Sequence, residues 1–477
     1  MKRGISILLA IVMMVMLCAC GSGDAGTAGT APATTGAAEE KAVFMAGFAR
    51  VDITPQEMGV SLRGFGDEKT RLSTDVISYI YSDCLALRDE AGNTALIISL
   101  DLCSCNSQQQ IREAVKNATG VPLDHIVTSC SHQHSTPNDV YAREWLQYLL
   151  KQVAKSAENA IADLAPATME IATAQTERLN FVRHYIMNDG TYAGDNFGST
   201  ESGYKEHVSQ ADGSLQLVKF VREGEKKDIL LTNFQGHPHL GAMAYYTSIH
   251  SDTVGVYRDA VSKALGCETI YFSGAGGNVK MKSAIEEENL TTDFREHGKL
   301  LSQYAINAEG SYTPVATGAV RAVQESFVGT VDHTEDHLVE LAKKMVAAYQ
   351  ESGSNSHAMK LAGDSGISSW HHAKAIVNKS EMGNTATIEN LGAIAVGDLA
   401  FVAAPYEMFD SNGVYIKENS PFKMTVVCTI ANGGNGYMPS KATFAYNGYE
   451  ADTSKYVEGT AEALADKFLE MLNGLHG

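Results

Sequence analysis

The amino-acid sequence predicts a mixed α/β fold in which β-sheets are flanked by helices. Short apolar runs rich in β-branched residues, such as TALIISL and KMTVVCTI, are typical of buried strands and recur along the chain. Amphipathic runs with apolar residues three or four positions apart separate them and predict helices. Because strands and helices alternate over the whole length, the α/β class is favoured.

The predicted elements can be placed by residue number. Strands are predicted at 94–100, 125–131, 228–234, 268–274, 397–404 and 423–430. Helices are predicted at 108–120, 143–164, 253–266, 333–350 and 458–475. Gly120 ends the first of these helices, as glycine commonly does. Residues 180–215 and 352–372 are polar or rich in small residues and predict irregular loops.

The first residues indicate export. A short basic start and an apolar run precede the sequence Leu-Cys-Ala-Cys, which resembles a bacterial lipobox. We therefore expect a lipoprotein signal peptide at 1–19, a lipidated Cys20, and a flexible Gly/Ala/Thr tether at 20–43. The folded domain is then 44–477, anchored by lipid to the outer face of the cytoplasmic membrane or in the cell envelope. An ordinary secretory signal and an uncleaved anchor are the alternatives.

Charge and cysteine content narrow the classes of function. The formal net charge is −19, which disfavours binding to nucleic acid or to an anionic membrane surface. Most of the cysteines beyond the signal lie in apolar runs, where a buried free thiol is the simplest interpretation, although one disulfide remains an alternative. These cysteines are Cys84, Cys103, Cys105, Cys130, Cys267 and Cys428.

Chemically reactive residues repeatedly follow the predicted strands. Sites in α/β proteins tend to form where the chain leaves the carboxyl ends of strands, so we expect one assembled site. The residues that stand at these ends are Asp101, His132, His134, His237, His239, the Gly-rich segment 274–278, Glu407, and the segment from Asn432 to Tyr437.

Two His-x-His turns suggest metal binding or proton transfer. In an extended chain, residues two positions apart face the same side, so two imidazoles can reach one ion. A pair of exposed loop histidines is the alternative at each turn. Asp252 fits two roles, a helix cap and a site residue that orients an imidazole. The Gly-rich segment 274–278 lacks the spacing of a phosphate loop and predicts close backbone approach instead.

The order of motifs resembles the neutral, non-lysosomal ceramidase family. The motifs are DITP, LRGFG, SHQHSTP, HPH, SGAGGN, AAPYE and NGGNGYMPS, and they extend from about residue 46 to 470. The resemblance implies a ceramidase-like catalytic domain that cleaves an amide with one Zn²⁺ and that acts in sphingolipid metabolism. The chain is expected to lack the C-terminal immunoglobulin-like domain of the family.

The resemblance also assigns residues. It implies His132, His237, Glu407 and Tyr437 as zinc ligands, with Tyr437 also stabilising the oxyanion. It further implies His134 as the proton-transferring neighbour and Arg183 as a substrate-binding residue, and Asp252 is expected to support them. Lys280 stands where the family has a serine assigned to the active site, so ceramide itself does not follow as the substrate.

The predicted function is that of a zinc-dependent hydrolase. Water activated by the metal would attack an N-acyl amide, which includes lipid amides, and the partners are this substrate and the membrane that holds Cys20. Two alternatives stay open. The chain fits a substrate-binding lipoprotein of a transporter, and it fits a ceramidase-fold pseudoenzyme that retains the metal site without turnover.

Overall fold

The computed structural model of the chain describes residues 43–65 and 68–476. The predicted signal peptide, Cys20 and residues 20–42 of the predicted tether lie outside these ranges, so they stay predictions. Within the described ranges, no helix combines the length and the hydrophobicity that crossing a membrane requires.

A larger mixed sheet forms one half of the core. Its strands are β1 (Met45–Asp52), β2 (Tyr81–Arg88), β3 (Thr94–Leu100), β4 (Ile126–Cys130), β5 (Ala165–Gln175), β6 (Ser214–Arg222), β7 (Ile229–Phe234), β8 (Glu268–Ser273) and β9 (Thr313–Val315). Their spatial order is β8-β7-β6-β5-β1-β2-β3-β4, and β9 pairs with β5. The pairs β3–β4 and β7–β8 are parallel and the others are antiparallel.

A smaller sheet packs face to face on the larger one. Its strands, in spatial order, are β10 (Val320–Thr330), β11 (Thr385–Val396), β12 (Leu399–Ala404) and β13 (Met424–Thr429). Phe401 of β12 belongs to the same buried cluster as Phe272 of the larger sheet, whereas the next residue, Val402, belongs to the cluster on the opposite face. Because both faces are buried, β12 is apolar at every position rather than alternating.

Helices cover the outer faces of both sheets. They are α1 (Gln108–Thr119), α2 (Arg143–Ala162), α3 (Asp252–Leu265), α4 (Phe294–Asn307), α5 (Val339–Ser352), α6 (Asn355–Met359), α7 (Trp370–Ser380), α8 (Asp410–Asn419), α9 (Lys441–Phe444), α10 (Tyr449–Thr453) and α11 (Thr460–His476). Helices α1 to α4 pack on the larger sheet, and α8 and α11 pack on the smaller one. Helices α5, α6 and α7 share a core of their own. The predicted mixed α/β class, with sheets flanked by helices, is confirmed.

The six predicted strands and four of the five predicted helices agree with the structure to within about two residues at each end. The helix predicted at 333–350 begins later, at Val339, after a short 3-10 turn at Asp336–Leu338. The loop predicted at 180–215 is wrong, because it contains a three-stranded antiparallel sheet of His184–Met187, Tyr192–Gly194 and Tyr204–His207. These strands of three or four residues are too short to show a periodic pattern.

The interpretation of the cysteines as buried free thiols is confirmed, since all six cysteines in the described residues are buried and free.

The carboxyl ends of strands from both sheets meet at one edge, and hydrogen bonds join them there. The amide of Asn432 donates to the carbonyl of Thr128 at 2.8 Å, which links the end of β13 to β4. The hydroxyl of Thr429 donates to the carbonyl of Gly274 at 2.9 Å, which links β13 to the loop after β8. The expectation that the strand ends gather is therefore confirmed for these strands.

Candidate metal centre

Three side chains from three strand ends converge at this edge. His132 follows β4, His237 follows β7, and Glu407 follows β12. Glu407 Oε2 lies 3.4 Å from His132 Nε2 and 3.3 Å from His237 Nε2. One potential ligand atom from each of the three residues lies within 4.8 Å of the other two. We refer to these three residues as the His/His/Glu group.

Backbone carbonyls orient both imidazoles of the group. His132 Nδ1 donates to the carbonyl of Cys103 at 2.6 Å, and His237 Nδ1 donates to the carbonyl of Val279 at 2.9 Å. Because a carbonyl only accepts, each Nδ1 carries a hydrogen, and Nε2 is the nitrogen of each ring that can offer a lone pair to a cation. Metal-binding histidines are usually held in this way. His132 also has φ of 72°, an uncommon backbone conformation for a residue other than glycine.

The facing atoms of the group fit a bound cation. Among the described residues, neither His237 Nε2 nor Glu407 Oε2 has a hydrogen-bond partner, although both atoms are buried. Leaving such atoms unsatisfied typically costs about 1–3 kcal/mol each, and more for a charge. Two imidazole nitrogens and a carboxylate oxygen are ligands that suit Zn²⁺ and other first-row divalent metals. The residues present therefore fit a metal ion.

The protonation states agree with ligand roles. Burial and the neighbouring imidazolium of His132 lower the pKa of His237 to about 4. Burial opposes ionisation of Glu407, but His132 and His237 outweigh it and lower its pKa below the usual range. Burial likewise opposes the charge on His132, but the Glu407 carboxylate and the Cys103 side chain outweigh it and raise the pKa of His132. Displacement of the His132 proton by a cation would give two neutral imidazoles and a carboxylate, the forms that bind metals.

His134 lies beside the group and is held by the loop that contains LRGFG. Its Nε2 is 3.4 Å from His132 Nε2, and its buried Nδ1 has no hydrogen-bond partner in the described part of the chain. The ring of Phe65 packs edge-on against it, and a Cβ at Gly64 would lie 2.6 Å from its side chain. With Cys103 and His132, His134 forms a second set of potential ligand atoms. His134 therefore lies next to the His/His/Glu group, and its role in proton transfer stays a prediction.

Tyr437 is adjacent to Glu407 through the backbone. Residues 407–408 and 437–438 form a short parallel ladder in which Glu407 pairs with Tyr437. The guanidinium of Arg183 lies 5.2 Å from the centre of the Tyr437 ring. Burial and the nearby Glu407 raise the pKa of the Tyr437 hydroxyl. The predicted fourth ligand and the predicted substrate-binding arginine therefore lie next to each other, and their roles stay predictions.

A buried ion cluster that the sequence did not reveal holds Arg183. Its Nε donates to Glu450 Oε1 at 2.7 Å, and His184 Nε2 is 2.7 Å from Glu450 Oε2. Tyr446 contacts the other nitrogen of His184 at 2.9 Å. Glu450 lies on the five-residue helix α10, far along the chain from Arg183. No local sequence pattern marks it.

Asp252 lies apart from the three facing ligand atoms. Its carboxylate accepts from the amides of Gly241 and Thr253, both at 2.8 Å, and it lies 3.7 Å from His250 Nδ1. These contacts fix the loop that follows His239 to the start of α3. Burial raises the pKa of Asp252 to about 7. Within the described residues its hydrogen bonds do not reach the imidazoles of the group, which backbone carbonyls orient instead.

The Gly-rich segment allows backbones to approach closely, as predicted. A Cβ at Gly277 would lie 2.8 Å from the carbonyl oxygen of Glu407, and one at Gly276 would lie 2.7 Å from the amide nitrogen of Gly236. Both contacts adjoin ligand candidates, so any side chain here would displace them. Lys280, two residues beyond this segment, forms an ion pair of 2.5 Å with Asp195.

Two solved ceramidase structures are similar in fold to this chain. A neutral ceramidase from Pseudomonas aeruginosa aligns with a TM-score of 0.67 and 16% identity, over 91% of this chain and 74% of that chain. A structure described as ceramidase complexed with C2 gives a TM-score of 0.65 and 16% identity, over 91% and 75% of the two chains. No protein-family model and no curated protein sequence matches the chain. This chain therefore has the neutral ceramidase fold, with a candidate metal centre at the carboxyl ends of its strands.

Proposed function

We propose that the chain is a zinc-dependent hydrolase of N-acyl amides. The observation that carries this proposal is the His/His/Glu group, in which the Nε2 atoms of two oriented imidazoles each lie within 3.4 Å of the same buried carboxylate oxygen. The likeness to ceramidases supports an amide as the bond that is cleaved. When bound, Zn²⁺ would supply Lewis acidity and lower the pKa of a coordinated water.

The surrounding residues supply the remaining requirements of amide hydrolysis. Water adds to the carbonyl carbon, the C–N bond breaks, and the amine leaves with a proton. His134 is the residue to accept the proton of the water and deliver it to the amine, because its Nδ1 is not committed to another described group. The Tyr437 hydroxyl would donate to the developing oxyanion, and Arg183 positions its ring.

Turnover of a panel of amides tests the proposal. The panel should contain a short-chain ceramide, N-acyl amino acids and their uncharged amides, each assayed for release of the amine. We expect turnover of at least one member by the zinc-loaded protein, loss of turnover with a chelator, and recovery when Zn²⁺ is restored. Turnover that is insensitive to chelation would contradict the proposal.

A pseudoenzyme remains the second candidate because of Lys280. The serine that the ceramidase family uses at this position is replaced by a lysine that is engaged with Asp195. Stoichiometric metal binding without turnover of any panel member would favour this candidate. Tight binding of an unchanged solute would instead favour the transporter lipoprotein.

The amino-terminal segment carries a separate proposal about location. We propose export, cleavage after residue 19, and anchoring of the mature chain to the membrane through lipidated Cys20. The support is the Leu-Cys-Ala-Cys sequence at the end of a signal-like run. Mass spectrometry of the native amino terminus should find a diacylglyceryl-modified Cys20, and an unmodified terminus elsewhere would contradict the proposal.

A further inference from the structure

A groove of about 240 Å³ lies beside the candidate metal centre. Helix α7 contributes several of its lining residues, and α10 with the residues on either side contributes others. The loop that precedes Tyr437 and the ring of Tyr437 itself complete the lining. We call it the lysine groove, and its charged and ionisable lining residues are His371, Lys374, Lys379, Tyr437, Tyr449 and Lys455.

The lysine groove has no acidic lining residue among those that the structure describes. This is unusual in a chain whose formal net charge is −19. Lys379 is neutralised by Asp332 at 3.1 Å and Glu335 at 3.3 Å. Lys374 and Lys455 are exposed and form no ion pair with any described residue. Lys374 Nζ also lies 5.7 Å from the centre of the Trp370 ring, which leaves its charge unneutralised. Two lysines without an acidic partner among the described residues therefore line the groove.

The acidic residues nearest to the groove along α10 face other partners. Glu450 is adjacent to Tyr449 in sequence, and its carboxylate is held by Arg183 and His184. Asp452 is adjacent to Thr453, and its carboxylate accepts from the hydroxyl of Ser368. Neither carboxylate forms an ion pair with a described lysine of the groove.

Tyr437 connects the lysine groove to the His/His/Glu group. It lines the groove, and its backbone pairs with that of Glu407. Its ring lies 6.1 Å from the ring of Tyr449, which also lines the groove. A molecule that extends from the His/His/Glu group past Tyr437 would therefore bring its polar end toward the lysines of the groove.

We propose that the lysine groove binds an anionic group, a carboxylate or a phosphate. This group belongs to the substrate whose amide is cleaved at the His/His/Glu group. The substrate part of this inference rests on the proposed hydrolase function, whereas anion binding by the groove does not. The lysines would counteract locally the repulsion between an acidic protein and an anionic substrate. The substrate class is then an N-acyl amide with a negative charge near the amide, such as an N-acyl amino acid or a phosphorylated amide.

Direct anion binding tests the groove independently of catalysis. Inorganic phosphate should be titrated by calorimetry into the metal-loaded full chain, into a Lys374→Gln/Lys455→Gln double variant, and into Lys360→Gln. Lys360 is an exposed lysine of the same helical cluster that does not line the groove, so it controls for loss of charge. We expect the double variant to bind phosphate at least about tenfold more weakly, because it loses both charged donors, and Lys360→Gln to match wild type. Equal binding by all three proteins would place phosphate at the metal and overturn the proposal.

Paired substrates test which anion the substrate carries. An N-acylglycine, its uncharged glycinamide and an N-acyl-phosphoethanolamine should be compared by kcat/KM in the same three proteins. We expect a charged member to exceed the glycinamide in wild type and in Lys360→Gln, and this preference to shrink about tenfold in the double variant. A preference that survives in the double variant would overturn the proposal. If no amide is turned over, the hydrolase function fails, and the phosphate titration still decides whether the groove binds anions.

Discussion

Replacing His237 by Ala is expected to abolish metal retention. Wild-type protein dialysed against buffer that contains Zn²⁺ should retain about one ion per chain at the His/His/Glu group. The variant removes one of three facing ligand atoms and leaves Glu407 Oε2 and His132 Nε2 alone. Because even outer partners of ligands are worth about 10–100-fold in affinity, loss of a ligand should exceed 100-fold. Plasma mass spectrometry of the dialysed proteins measures the retained metal.

His239→Ala is the matched control for this prediction. His239 stands two residues later in the same HPH turn, but it is not a member of the His/His/Glu group. It should retain metal as wild type does. A second measurement separates ligand loss from misfolding. Saturating Zn²⁺ should raise the unfolding free energy of wild type by about 2.7 kcal/mol at 100 times its Kd, and should leave His237→Ala unchanged. Equal metal retention by His237→Ala and wild type would exclude this group as the metal site.

His132 and His237 could be singled out from the sequence because they combine two signals: each is a residue type that binds metals, and each follows shortly after an apolar run long enough to predict a strand. Their roles as ligands, and the choice of Glu407, came from the resemblance to ceramidases. The groups that orient the imidazoles could not be predicted in this way. They are the backbone carbonyls of Cys103 and Val279, and a carbonyl is present at every residue. Asp101 and Asp252, which have the expected chemistry for that task, are engaged elsewhere with Arg258 and Gly241.

The same contrast explains which parts of the fold could be predicted. β3, β7 and β12 are buried on both faces, so their sequences are continuous apolar runs that stand out. β5 and β10 are only half-buried over most of their length, and their mixture of Thr, Glu, Gln and Ala shows no clear run. The order of strands within each sheet, the packing of the two sheets and the helical cluster of α5 to α7 all depend on contacts between distant residues. Local periodicity contains no information about such contacts.

The second large effect is expected at Glu450. Its carboxylate is fully buried between Arg183 and His184, with a 2.7 Å contact to each. Glu450→Gln keeps the shape of the side chain but removes the charge that compensates the buried guanidinium. Breaking a buried ion pair by removing one partner typically costs about 3–5 kcal/mol, because the other charge is left uncompensated. Urea unfolding at pH 7 should therefore show a lower free energy of unfolding for the variant, and Arg183 should lose its position over Tyr437.

The pH dependence of this loss distinguishes an electrostatic cause from a packing defect. Burial opposes ionisation of Glu450, but Arg183 and His184 outweigh it and lower the pKa to about 2, against an ordinary value of 4.5. Since the folded pKa is the lower one, the carboxylate stabilises the fold fully above about pH 4.5, and this contribution disappears as the pH falls toward 2. The difference between wild type and Glu450→Gln should therefore be largest near neutral pH and shrink over that interval. Glu458→Gln, on an exposed glutamate whose carboxylate is 3.8 Å from Lys441, should match wild type throughout. A difference in unfolding free energy that stays constant with pH would mean that Glu450 acts through its shape alone. Its charge would then not be what holds Arg183 beside Tyr437.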